Sequence, residues 1–186
     1  EFYEDWKANK RQKMNTSVFL NEKALFEVSL AETFTKYGIT ADASKEIKPM
    51  IRSLFADRFV FSDVHEALAK LAEKNVDFAI GSITDTEPLL YYLELNQLSF
   101  SHIYTSEDMQ VYKPNIKFYD TILQRSGWLA EECLFVGDSY IDDVLGPQKI
   151  GMKTVLLDRK ALYKSTELTP QPDFVIHSLL ELLKVI

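Results

Sequence analysis

Three aspartates lie within one short segment, directly behind an apolar run that is typical of a buried strand. The segment reads "FVGDSYIDDVLG" from Phe135 and contains Asp138, Asp142 and Asp143. Neighbouring carboxylates repel one another, and burial would raise the pKa of one of them unless a cation neutralises the charge. Carboxylate oxygens are the ligands that a hard cation such as Mg²⁺ requires. The segment is therefore a candidate cation site, in which Asp138 and Asp143 are spaced to serve one divalent ion and Asp142 is left in solvent.

Two more polar side chains follow predicted strands. Ser82 closes the strand-like run "VDFAIGS", and Lys113 precedes a helix in the loop after "HIYTSEDMQVY". Ligands of an open α/β sheet bind beyond the carboxyl ends of its strands, where a hydroxyl and an ammonium group suit a phosphoryl oxygen. Each residue also has a plainer interpretation: Ser82 as a turn or cap residue, Lys113 as a solvated surface charge, and the aspartates as turn or helix-start residues.

Alternating strand and helix patterns position these residues from Phe59 onward. Apolar strand-like runs alternate with amphipathic helix patterns, and the runs are "VDFAIGS", "SHIYTS", "CLFVGD", "KTVLLD" and "FVIHS". Continuous apolar strands between helices are typical of a parallel sheet covered on both faces. We predict an α/β fold with a doubly wound, Rossmann-like parallel sheet in residues 59–186.

The first part of the chain has a helical pattern throughout. In "NEKALFEVSLAETFTKYG", apolar residues recur at helical spacing between a plausible N-cap, Asn21, and a stop at Gly38. A second helix is expected across "ASKEIKPMIRSLFADR", where Pro49 is either tolerated in the first turn or kinks it. A third covers the first dozen residues. Residues 1–58 are therefore predicted to form a small helical domain.

Composition narrows the function classes. The 186 residues carry a formal net charge of −7, which argues against a general nucleic-acid binder but leaves room for a local anion site. No apolar run reaches membrane-spanning length, so we expect no membrane partner. Cys133 is the only cysteine, and the start is too polar for a signal peptide, which together favour a cytoplasmic protein. We expect a monomer or a homodimer.

Three segments in chain order resemble motifs II, III and IV of the haloacid dehalogenase-like hydrolases. They are "FAIGS", "VYKPNIKFYDTIL" and "CLFVGDSYIDDVLGPQKIGMKTVLLD". The resemblance implies that Ser82, with the adjacent Ile83, binds the transferred phosphoryl group and that Lys113 pairs with that group and the nucleophile. It also implies that Asp138 binds Mg²⁺ and that Asp143 binds the metal or orients its water shell. Residues 1–58 would be the family's helical class I cap.

Two features depart from the family pattern. Ile83 stands where the family usually has Asn, which weakens the assignment of a phosphate contact to this side chain. The family's nucleophile is the first Asp of an Asp-x-Asp motif, and no such motif occurs in these 186 residues. We therefore expect the nucleophile strand to lie upstream of Glu1, so that the chain alone would be inactive.

The resemblance leads to one main function and two alternatives. The main one is a Mg²⁺-dependent phosphatase that acts on a small phosphorylated metabolite through an aspartyl-phosphate intermediate. The first alternative is a 2-haloacid dehalogenase, a branch that does not need the metal and tends to lack the acidic residue matching Asp138. The second is a non-catalytic binding or regulatory module that kept the fold.

Overall fold

The computed structural model describes residues 1–56 and 59–186 and contains α-helices, short 3₁₀ turns and strands. The helices are α1 (Phe2–Lys13), α2 (Glu22–Lys36), α3 (Ala43–Glu46), α4 (Lys48–Ala56), α5 (Val64–Glu73), α6 (Thr86–Leu95), α7 (Ser106–Met109), α8 (Ile116–Ser126) and α9 (Gly146–Gln148). The strands are β1 (Ala79–Ser82), β2 (His102–Thr105), β3 (Leu134–Gly137), β4 (Lys153–Leu157) and β5 (Phe174–Ile176). Among the described residues, no helix combines the length and apolar character that a membrane crossing requires.

The chain divides into two compact units. The first consists of Glu1–Phe59, Gly81–Ser99 and Tyr104–Tyr112, and the second of Val60–Ile80, Phe100–Ile103 and Lys113–Ile186. The predicted domain boundary at residue 58 lies outside the described residues. The units also differ from the predicted division, because residues 81–99 and 104–112 pack with the N-terminal helices.

The helices of the first unit begin where the sequence indicates. The Asn21 side chain accepts a hydrogen bond from the Ala24 amide at 3.1 Å, which confirms it as the N-cap of α2. The second predicted helix is interrupted: α3 ends at Glu46 and α4 starts at Lys48, so that Pro49 lies in the first turn of α4, where a proline is tolerated. The apolar side chains of these helices form one core, with buried Trp6, Phe26, Leu30, Ala43 and Ile47.

A carboxylate explains why the segment after β1 belongs with these helices. Asp85 accepts hydrogen bonds from the backbone amides of Glu22, at 2.7 Å, and Lys23, at 3.3 Å. These amides are at the start of α2, where a helix has unpaired N–H groups and a positive dipole end. Asp85 therefore supplies a long-range cap that sequence periodicity could not indicate.

The second unit contains a parallel sheet with strand order β3-β4-β5. Successive residues of β4 point to opposite faces. Val155 and Leu157 pack with Leu71, Ile176 and neighbouring apolar side chains, whereas Leu156 packs with Val144, Leu168 and Tyr140. Both faces are therefore covered, which confirms the predicted doubly wound α/β class.

Two helical segments of the second unit are not α-helices. Residues Tyr140–Leu145 form a π-helical turn that leads into α9, and Leu179–Lys184 form a 3₁₀ helix. Strands β1 and β2 pair with each other in a separate two-stranded sheet. The π-helical turn follows β3 and carries Asp143, one of the two predicted metal ligands.

Candidate active site

Lys113 and Asp143, thirty positions apart in the chain, form a buried ion pair. The Nζ atom of Lys113 lies 2.8 Å from Oδ1 of Asp143, and the two residues are 8% and 5% exposed. Lys113 is therefore not the solvated surface charge of the plainer interpretation. A charge-assisted hydrogen bond of this length inside a protein is strong, and it fixes both side chains.

The second oxygen of Asp143 is held by the chain itself. Oδ2 accepts a hydrogen bond from the Ser139 amide at 2.9 Å. The carboxylate also lies directly against Gly137, where an added Cβ would overlap the Asp143 side chain. A glycine at the end of β3 therefore allows Asp143 to fold back over the strand.

Two aromatic rings surround the Lys113 ammonium group. Nζ lies 4.9 Å from the ring centre of Phe135 on β3 and 5.5 Å from that of Phe118 on α8. Both distances are within the range of cation–π attraction. Phe118, on the amphipathic helix α8, is fully buried and forms one wall of the lysine site.

Asp138 differs from Asp143 in its surroundings. It follows β3 and is exposed, and no hydrogen-bond donor among the described residues contacts its carboxylate. Its backbone is held instead: the Tyr163 hydroxyl donates to the Asp138 carbonyl at 3.3 Å and accepts from the Tyr140 amide at 3.4 Å. The exposed carboxylate is thus available to a ligand while its backbone is fixed.

Asp142, which we expected to be solvated, is half-buried and has a structural role. The Ser139 hydroxyl donates to Oδ2 of Asp142 at 3.2 Å and accepts from the Asp142 amide at 3.2 Å. These bonds cap the start of the π-helical turn. The expectation was wrong because a serine three residues earlier captures the side chain.

Ser82 and Ile83 belong to the first unit. The Ser82 hydroxyl accepts a hydrogen bond from the Thr84 amide at 3.3 Å, which is the turn role of its plainer interpretation. The hydroxyl keeps its own proton for a further acceptor. Ile83 is exposed.

The sequence matches a known family over most of its length. A family model described as haloacid dehalogenase-like hydrolase covers residues 8–157. The chain belongs to this family. A glyceraldehyde 3-phosphate phosphatase of Methanocaldococcus jannaschii is 32% identical over 117 residues, 61% of this chain and 51% of that protein. A phosphoglycolate phosphatase of Pectobacterium atrosepticum is 32% identical over 130 residues, 68% of this chain and 55% of that protein.

Solved structures share the fold. The L-2-haloacid dehalogenase from Xanthobacter autotrophicus superposes with a TM-score of 0.79 at 18% identity, covering 99% of this chain and 84% of that one. Identity this low shows the fold alone. The chain spans about half the length of the two phosphatases named above, at 51% and 55%.

The carboxylates after β3 are the candidate ligands for a Mg²⁺ ion. Within residues 1–56 and 59–186, no group of three or more His, Cys, Asp or Glu side chains is arranged to hold a metal. Mg²⁺ in proteins usually needs only one or two carboxylates, because waters and substrate oxygens complete the shell. Asp138 fits a direct ligand, since its carboxylate is exposed, and Asp143 accepts a hydrogen bond from the amide of Ser139, the residue after Asp138. The residues present therefore fit this metal.

Sequence reasoning missed the residues that support the site. Gly137 could have been singled out, because a glycine within a strand pattern often marks a close approach. Tyr119, which is fully buried and contacts the turn, gave no such signal, because an aromatic residue on an amphipathic helix normally indicates ordinary core packing.

Proposed function

We propose that this hydrolase is a Mg²⁺-dependent phosphatase that acts on a small phosphorylated metabolite. The observation that carries the proposal is the buried Lys113–Asp143 pair beside the exposed carboxylate of Asp138. This combines a fixed positive charge with an open metal ligand, as phosphoryl transfer requires. The phosphatase names of its relatives support the same class.

The proposed role of Lys113 is to neutralise phosphoryl charge. Its ammonium group is enclosed by aromatic rings and more than nine-tenths buried, so it acts at a lower local dielectric than in water. Asp143 holds the ammonium group in place through the 2.8 Å bond. Ser82 is the proposed hydroxyl donor to a phosphoryl oxygen, with Ile83 beside it.

The proposed metal site uses the two carboxylates of this segment. Asp138 would hold Mg²⁺ directly, and Asp143 would bind it or orient its water. The bound cation would neutralise negative charge on the phosphoryl oxygens. Both carboxylate oxygens of Asp143 already accept a hydrogen bond, one from Lys113 and one from the Ser139 amide. We therefore propose that Asp143 orients the water shell of the metal.

The proposed reaction proceeds in two displacements. An aspartate carboxylate attacks phosphorus, the ester P–O bond breaks, and the leaving oxygen takes a proton from a general acid that, like the nucleophile, is not assigned to a residue of this chain. Water then attacks the aspartyl phosphate and releases inorganic phosphate. No Asp-x-Asp motif occurs in the 186 residues, so the nucleophile is not assigned to any of them. The helices of residues 1–58 are the proposed cap, which would close over the substrate and exclude water.

A substrate screen of the full-length protein tests the proposal. Sugar phosphates, nucleotides and phosphoglycolate are assayed for phosphate release with Mg²⁺, with EDTA, and with Mg²⁺ restored. We expect activity that EDTA removes and Mg²⁺ restores. Asp138→Asn should abolish it, whereas Asp120→Asn, on an exposed position of α8, should not.

Two outcomes would replace the proposal. Dechlorination of a 2-chloro acid in the presence of EDTA would indicate the dehalogenase. Binding of phosphate esters without turnover in the full-length protein would indicate a non-catalytic module.

A further inference from the structure

The Tyr119 side chain supports the turn that carries Asp143. It is fully buried, and its hydroxyl donates to the backbone carbonyl of Asp142. Its ring packs edge-on against Phe135 of β3, with 5.4 Å between ring centres. At the end of the turn, a Cβ added to Gly146 would overlap the Tyr119 phenol. One side chain of α8 therefore contacts the middle of the turn, its end and the preceding strand.

The local sequence removes one backbone donor that a regular π-helix would supply here. In a π-helix, a carbonyl accepts a hydrogen bond from the amide five residues further on. For Asp142 that residue is Pro147, which has no amide hydrogen. The Tyr119 hydroxyl donates to this carbonyl from outside the turn. Loss of this donor would remove a direct hydrogen bond between α8 and the middle of the turn.

The geometry of Asp143 depends on the same turn. Its carboxylate is the immediate neighbour of the carbonyl that Tyr119 binds, and it reaches Lys113 at 2.8 Å and the Ser139 amide at 2.9 Å. A small change in the turn would misalign both bonds, because the turn carries the carboxylate that lies directly against Gly137. Tyr119 contacts neither of the proposed ligand side chains and acts through the backbone.

We propose that Tyr119 is a positioning residue for the metal site: its hydroxyl and ring hold the turn Tyr140–Leu145 so that Asp143 faces Lys113 and the cation. The proposal deepens the phosphatase function above and rests on it. Groups that orient metal ligands typically change metal affinity or activity by roughly 10- to 100-fold when removed. That effect is expected from loss of a single hydroxyl, in Tyr119→Phe.

Tyr112→Phe provides a matched control. Tyr112 is also buried, at 3% exposure, and its hydroxyl also donates to a backbone carbonyl, that of Leu20, at 2.9 Å. Both variants therefore lose one part-buried hydrogen bond to a backbone carbonyl, and Tyr119 is the one of the two that contacts the turn. Any effect common to both reports on stability, and any effect of Tyr119→Phe alone reports on positioning.

Three measurements on the full-length protein test the proposal. Calorimetric titration gives the Kd for Mg²⁺, hydrogen exchange gives the protection of the amides in residues 139–145, and steady-state kinetics separates kcat from KM. Tyr119→Phe should weaken Mg²⁺ binding at least 10-fold, speed exchange in the turn and lower kcat more than it changes KM. Tyr112→Phe should leave all three at wild-type values.

The outcomes separate this proposal from the one it rests on. Wild-type Mg²⁺ affinity and wild-type exchange of the turn in Tyr119→Phe would show that Tyr119 only packs the core. A wild-type protein that neither binds Mg²⁺ nor hydrolyses a phosphate ester would overturn the phosphatase proposal and the role of Tyr119 at a metal site with it. Faster exchange in Tyr119→Phe would still show, in that case, that Tyr119 holds the turn.

Discussion

The Lys113 ammonium group and the Asp143 carboxylate are 2.8 Å apart in the interior of the second unit. Each charge is tolerated there because the other is present. Bringing two ions out of water costs several kcal/mol per ion, and their attraction repays that cost only with good geometry and further hydrogen bonds. The Ser139 amide and the two aromatic rings complete this environment.

Loss of one partner should be costly to stability. Lys113→Met leaves the Asp143 carboxylate buried without its cation, so we expect the free energy of unfolding to fall by about 3–5 kcal/mol. Adding Asp143→Asn removes the stranded charge and should recover much of this loss, although phosphatase activity stays absent. Urea unfolding measures both.

An exposed ion pair serves as the control. Lys164 lies 3.0 Å from Glu167, and both side chains are well exposed to solvent. Lys164→Met should change the free energy of unfolding by less than about 1 kcal/mol. A similarly small effect of Lys113→Met would mean that the buried pair is not coupled as described.

Gly137→Ala should disturb the site without removing a functional group. The new methyl group would overlap the Asp143 carboxylate, which cannot move aside because Lys113 and the Ser139 amide hold it. Overpacking of this kind costs about 1–3 kcal/mol, and we expect a large loss of Mg²⁺-dependent turnover as well.

Gly127→Ala is the control that separates the loss of stability in Gly137→Ala from its loss of turnover. Gly127 ends α8 with φ of +76°, and an added Cβ would meet no atom within 4 Å. The left-handed backbone should cost roughly 1–2 kcal/mol while turnover stays at the wild-type level. Equal activity losses in the two variants would argue against a specific contact between Gly137 and Asp143.

Asp63 should make the fold sensitive to acid. Burial raises the pKa of this carboxyl, but hydrogen bonds from Arg159, Ser178 and the Leu179 amide outweigh burial and lower the pKa to about 2. Because folding lowers the pKa, the stabilisation is complete above the unfolded value of about 4 and is lost as the pH falls towards 2. Asp63→Asn should flatten the dependence of unfolding free energy on pH in this window.

Ser178→Ala should reduce the acid sensitivity of the fold less than Asp63→Asn does. It removes one of three donors to Oδ2 of Asp63 and should shift the acid transition by less than Asp63→Asn does. Acid titrations followed by circular dichroism measure the transition. If Asp63→Asn left the acid transition unchanged, the acid sensitivity would come from other groups.

Mg²⁺ should stabilise the folded protein before any substrate is present. A ligand that binds only the native state at 100 times its Kd adds about 2.7 kcal/mol to the free energy of unfolding. We expect Mg²⁺ to raise the Tm and EDTA to reverse the rise. Asp138→Asn should lose this rise in Tm. If the variant kept the rise, the metal would bind at a place other than Asp138.

The sequence by itself determined the local elements and the residues at their ends. Helical spacing and Asn21 indicated α2, and apolar runs indicated the strands of a parallel sheet. Lys113 and Asp138 were singled out because ligands of an open α/β sheet bind beyond the carboxyl ends of its strands. These signals are local, since backbone propensity and side-chain alternation act over a few residues.

Only the tertiary structure decided what these residues contact. The burial of Lys113 depends on how α8 packs against β3, and the place of Asp143 depends on the missing side chain of Gly137. The Tyr119 hydroxyl donates to the carbonyl of Asp142, a residue 23 positions later in the chain. Spacing along the chain does not determine such distances, because they result from the packing of whole elements against one another.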